Sequence, residues 1–158
     1  MANTQSMCTS FLGEVLTATH NFGTAPVRAT GATDTFKAAL FLTSATIDAA
    51  TTAYSTSGEV SGTGYTAGGV VVTMGTPPTA TNSSATAGVA FVTPSASITY
   101  TTVTLTTAFD CVLIYNSTQS DKAVSVHTFG SQTITAGTFT LTMPANTTST
   151  ALLRLATT

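Results

Sequence analysis

The chain has 158 residues, which suits one domain able to bury its own core. Only 6% of residues are charged, the formal net charge is −2, and threonine fills about a quarter of all positions. Four Lys plus Arg exclude a nucleic-acid footprint, the lack of Glu, Lys and Leu heptads excludes a coiled coil, and 42% hydrophobic content excludes a charge-driven disordered chain.

The N-terminus, Met1-Ala-Asn-Thr-Gln-Ser-Met-Cys8, has no basic region followed by an apolar run. The expectation is synthesis in the cytoplasm with no signal peptide. No apolar run reaches the length of a membrane span, so no membrane partner is expected. The first element is a helix over 9–22. Met7, Phe11, Leu12, Val15, Leu16 and Phe22 share one stripe, Thr9 or Ser10 can cap the start, and Gly23 can end it. One short amphipathic helix is marginal alone, so it must pack on its own sheet or on a neighbouring subunit.

Everything after the helix reads as β. Strands are predicted over 35–43, 70–74, 88–93, 97–106, 109–116, 123–129, 132–135, 138–143 and 151–156, where Thr, Val, Ile, Phe and Tyr dominate. Many short strands between turn signals predict an antiparallel β-sandwich or a jelly-roll-like barrel. The whole chain, 1–158, is read as one such domain with an N-terminal helix or arm over 1–23. In 97–106 the apolar parity switches between Ile98 and Tyr100 on one side and Val103 and Leu105 on the other. A bulge or bend at Thr101–102 would restore a single apolar face. Ile134 to Phe139 reads as a tight hairpin with Ala136-Gly137 at its tip. Residues 109–115 are apolar on both faces, as in a central strand covered on both sides. Residues 138–143 alternate, with Phe139, Leu141 and Met143 inward and threonines outward. Two long loops, 55–69 and 75–87, carry Gly, Ser and Thr or the Pro77-Pro78 pair.

Candidate chemistry is sparse. His20 and His127 belong to no metal-ligand cluster, so no metal and no cofactor are expected. Cys8 and Cys111 are too few for a disulfide framework and are read as free thiols. Sequons at Asn82, Asn116 and Asn146 carry no weight without a secretory route. Asp34 and Asp121 look like turn or cap residues. Asp110 and Glu59 sit beside apolar residues and should be paired, with Lys37, Arg28 or Arg154 as available cations. Gly58-Glu-Val-Ser-Gly62 matches only part of a nucleophile elbow, and His127 would be its only base. No catalytic residue is assigned and no enzyme is expected. The glycines at 58, 62, 64, 68 and 69 point to positive φ or close backbone approach. Tyr54 and Tyr65 flank that loop, either anchoring it to the sheet or facing a partner.

Three segments carry a resemblance: Thr35-Phe-Lys-Ala-Ala-Leu-Phe-Leu-Thr43, Thr52-Ala-Tyr54, and Gly58-Glu-Val-Ser-Gly-Thr-Gly-Tyr-Thr-Ala-Gly-Gly69. With Ser10-Phe-Leu-Gly-Glu14 and His20-Asn-Phe22, they resemble a set of small tailed-bacteriophage virion proteins over residues 1–74. The resemblance implies a structural protein of the particle, located in the virion. The leading expectation is a capsid decoration or cement subunit, a homo-oligomer with a trimer favoured, bridging major capsid subunits. The alternative is a connector or adhesion module of the tail, neck or fibre. A hydrolase of surface polymers is the competing reading from another class. Contact residues are expected at Phe11 and Leu12 of the helix, at Tyr54, Glu59 and Tyr65 of the first loop, and at Pro77 and Pro78 of the second.

Overall fold

The structure, a computed structural model, describes residues 3–16, 18–22, 34–75, 78–81 and 88–156. Nine elements follow in order: β1 (Ser6–Met7), α1 (Thr9–Leu16), β2 (Phe36–Leu42), β3 (Val70–Val72), β4 (Thr79–Thr81), β5 (Val89–Val92), β6 (Ile98–Asn116), β7 (Lys122–Leu141) and β8 (Leu153–Ala156). The fold is all-β, antiparallel and sandwich-like. A five-stranded sheet has the order β1-β7-β6-β2-β3 and a three-stranded sheet the order β4-β5-β8. Val92 and Leu153 of the small sheet join the same buried cluster as Ile98 and Val112 of the large one. The two sheets stay open at their described edges rather than closing into a barrel.

The helix is shorter than its apolar stripe predicts. It stops at Leu16, and Ala18 takes a left-handed φ of 54°. The Ala18 amide donates to the Val15 carbonyl and the Thr19 amide to the Glu14 carbonyl, closing a Schellman motif. Gly23, the expected stop, lies outside the described residues.

The predicted strands 97–106 and 109–116 form one strand, β6, and 123–129, 132–135 and 138–143 merge into β7, which ends at Leu141. β6 is central, and Phe109, Cys111, Leu113 and Tyr115 are all buried to 2% exposure or less. The parity switch is resolved as predicted. Thr102 has φ 54°, the register shifts between Tyr100 and Val103, and Ile98, Tyr100, Val103 and Leu105 are all buried.

The hairpin at Ala136-Gly137 does not form. Ala136 takes φ 48°, but Gly137 does not share the positive φ that a two-residue type I′ turn needs at both positions. One left-handed residue alone makes a bulge, and the strand runs on. Ile134 therefore faces Leu105 and Phe139 faces Tyr100, rather than each other. The bulges at Thr102 and Ala136 compensate. Leu105 lies five positions after Tyr100 and Phe139 five after Ile134, so the register is the same on either side. At the far end, Ser120 (φ 54°) and Asp121 (φ 57°) turn β6 into β7, the role expected of Asp121.

Candidate functional site

The loop between β2 and β3 does not stand free. Isolated bridges join Glu59 to Phe41 and Thr63 to Thr104, and the Val60 amide donates to the Leu40 carbonyl. Such close approach explains the glycines. A methyl at Gly64 would land on the Thr102 carbonyl oxygen and one at Gly69 on the Ala38 carbonyl oxygen, and both positions have positive φ.

Tyr54, Glu59 and Tyr65, all expected contact residues, converge on one carboxylate. Tyr54 Oη donates to Glu59 Oε2 at 2.7 Å. Tyr65 Oη and the Gly68 amide both donate to Oε1, each at 2.7 Å. Tyr65 Oη in turn accepts the Leu40 amide at 3.0 Å. The other two tyrosines complete the cluster. Tyr115 stacks on Tyr54 at 4.5 Å and donates to the Gly68 carbonyl, while Tyr100 stacks on Tyr65 at 5.9 Å and donates to the Ala38 carbonyl. Burial raises all four phenols, Tyr115 to about 12, and for Tyr54 and Tyr65 the Glu59 hydrogen bond adds to it. The hydroxyls therefore stay protonated and act as donors.

This corrects the expected ion pair. Among the described residues no cation pairs with Glu59, and three hydrogen-bond donors take that place. Asp110 likewise accepts from Asn3 Nδ2 at 2.5 Å, and Arg154 donates to the Ser149 carbonyl. Arg28 lies outside the described residues. Of the two open readings for Tyr54 and Tyr65, the geometry supports the anchor.

A second polar cluster ties the N-terminal segment to the large sheet. His20 Nε2 is 2.8 Å from Glu14 Oε2, and Lys122 Nζ is 2.6 Å from Glu14 Oε1. Asn116 Oδ1 accepts the Thr118 and Gln119 amides, which turns its Nδ2 toward Asp34 Oδ2 and His20 Nδ1. His20 Nδ1 must then accept and Nε2 must carry the proton donated to Glu14, so the neutral tautomer satisfies every partner. Burial lowers the His20 pKa against the pull of Glu14. Burial also raises the Glu14 carboxyl, but the Lys122 and His20 hydrogen bonds outweigh it and hold it below its ordinary value. Asp34 also accepts the Asn21 amide and Gln119 Nε2, bonds that join distant segments rather than cap a local turn.

Of the remaining expected contact residues, Phe11 is 2% exposed and packs against His20 and Phe22 of its own chain. The Leu12 side chain and Pro77 lie outside the described residues, and Pro78 is exposed. The second loop includes β4, paired with β5, which its polar composition did not suggest.

His127 Nε2 is 2.9 Å from Ser125 Oγ, not paired with Ser61, and Ser125 is itself buried. The partial elbow at 58–62 therefore has no base against its serine. Among the described residues no group of three His, Cys, Asp or Glu could hold a metal ion, and no helix is long and apolar enough to cross a membrane. A cavity of about 380 Å³ lies between the large sheet and residues 141–152, lined by Val112, Ile114, Phe129, Met143 and Leu152 with His127 at its wall. No family model, curated protein or solved structure matches this chain.

Two predictions arise from these buried groups. Burial pushes the His127 pKa from 6.5 down to about 4. The unfolded chain then binds the extra proton between those values. The stability gained by keeping the ring neutral is complete above pH 6.5 and lost as pH falls to about 4, on the order of 3 kcal/mol in total. Urea unfolding across this window should show the fall, and His127→Gln, which keeps a hydrogen-bonding side chain but does not titrate, should lessen it and leave the part due to His20 and Glu14. The thiols give the second. Burial pushes Cys8 up to about 11, with Asp48 adding to it, and Cys111 up to about 12. Neither should react with a thiol reagent at neutral pH until urea unfolds the chain, and non-reducing electrophoresis should show monomer.

Proposed function

We propose that this chain is a structural protein of a bacteriophage particle, a capsid decoration or cement subunit that bridges and stabilises major capsid subunits. The reading is of a homo-oligomer that works by contact rather than by chemistry. The observation that carries it is where the few charges go. Glu14 is spent on Lys122 and His20, Glu59 on two tyrosines and an amide, and Asp110 on Asn3. Between Lys122 and Arg154 no Asp, Glu, Lys or Arg occurs, and much of that stretch is exposed. Neutral surface of this kind is covered by a partner without the desolvation cost of stripping water from charges. The resemblance of residues 1–74 to small phage virion proteins supplies the particle.

The deciding experiment is a particle map with this protein labelled. A copy number that scales with the capsid lattice supports the decoration reading. A few copies at the tail, neck or fibre select the connector reading instead. Absence from purified particles removes both.

A further inference from the structure

β7 lies between β6 and β1, and β1 covers only Ser125 and Val126 of its outer edge. Along residues 128–141 no described strand lies on that side. At the rise of a strand this open edge is roughly 45 Å long. In an antiparallel ladder about every second residue turns both its N–H and its C=O to the same side, so the edge presents a row of unpaired backbone groups.

Open edges of this length are normally guarded by charge, proline or a bulge that twists the strand away. Here there is no Asp, Glu, Lys or Arg from Ala123 to Leu153 and no proline before Pro144. The bulges along this edge of β7, at Ala136 and between Thr128 and Gln132, are each offset by one in β6, at Thr102 and between Leu105 and Phe109, so the register is regained on either side. The side chains beside the edge are mostly small: Ser131, Thr133, Thr135 and Ala136 are exposed, and Gly130 has open space around it. β1 shows that the same edge accepts an antiparallel strand where one is supplied.

We propose that residues 128–141 of β7 pair antiparallel with the same residues of a second copy of this chain, joining two five-stranded sheets across a two-fold axis. A second copy is the occupant that fits. The edge has no charge to recognise a charged peptide, and continuity with the β1 pairing favours a further antiparallel strand. A strand edge meets its own copy in antiparallel register, placing threonine beside threonine on a β-compatible surface. The unit is then two-fold, not the trimer favoured from the sequence. The inference concerns the isolated chain and goes beyond the virion reading, so it can fail or hold whatever the particle map shows.

The test is sedimentation of the full chain over a concentration series, beside Thr133→Lys/Thr135→Lys and the control Thr148→Lys. All three side chains are exposed, so the fold should tolerate lysine, and circular dichroism checks that it does. Wild type and the control should rise to twice the chain mass with concentration, while the double variant stays at the chain mass. A wild type that stays monomeric, reaches three times the chain mass, or associates equally well with both lysines present overturns the proposal. Amide hydrogen exchange gives a readout without substitution. Amides of 128–141 should gain protection as wild type is concentrated, and unchanged protection there also overturns it.

Discussion

Glu59→Ala is expected to destabilise the chain by about 3 kcal/mol, the largest effect of any single polar substitution here. The change leaves the Tyr54 hydroxyl, the Tyr65 hydroxyl and the Gly68 amide without their acceptor. Hydrogen bonds to a charged group contribute about 1.5–3 kcal/mol each, but the half-buried Tyr54 can turn to water, so the sum is not reached. Glu59→Gln should lose about half as much, because one oxygen still accepts while the new amide group faces a donor. Urea denaturation orders the three chains, and limited proteolysis locates the damage in residues 55–69. A Glu59→Ala protein within about 0.5 kcal/mol of wild type would show that the carboxylate is incidental to the fold.

Gly69→Ala should be worse, exceeding about 4 kcal/mol or preventing folding. The position has φ 72°, where an alanine is strained, and the added methyl would overlap the Ala38 carbonyl oxygen and come within 2.8 Å of the Ala39 Cα. β2 cannot retreat, since Ala38 and Ala39 are both fully buried and pair with Ile114 and Leu113. The contrast is Gly130→Ala, where nothing lies within 4 Å of the new methyl. That change should be neutral or stabilising by a few tenths of a kcal/mol. Thermal melts of the pair separate steric conflict from a general intolerance of substitution in the strands.

Much of the β architecture was legible because alternation and β-branched composition are local signals. The bulge at Thr102 was readable from parity alone, since no regular strand puts Ile98, Tyr100, Val103 and Leu105 on one face. The same kind of signal misled at Ala136. A residue with left-handed φ between two apolar runs starts a hairpin or makes a bulge, and what separates them is whether the opposing strand continues. β6 does continue, over 19 residues, so the bulge wins. The helix end was misplaced for a related reason. Ala18 carries no sequence mark of a left-handed cap, and the apolar stripe goes on past it to Phe22, which stacks on Phe36 from outside the helix.

At the candidate site the sequence marked Tyr54, Glu59 and Tyr65 as worth attention, and the glycines as points of close approach. It could not show that Tyr100 and Tyr115, on β6 more than thirty residues away, close the same cluster. Nor could it show that hydroxyls rather than Lys37 or Arg154 satisfy Glu59. Partner choice for a carboxylate depends on which donors the chain brings within 3 Å, and that is a property of register between distant strands.

Composition and periodicity alone were enough for a charge-poor, threonine-rich, all-β chain with a central strand at 109–116 and alternation over 138–141, because each depends only on neighbours along the chain. Which strands merge, where the loop lies, which groups the charges spend themselves on and which edge stays open were decided by the tertiary structure. Those outcomes depend on pairings across long sequence separations, and the backbone settles them by finding hydrogen-bond partners for every buried group at once.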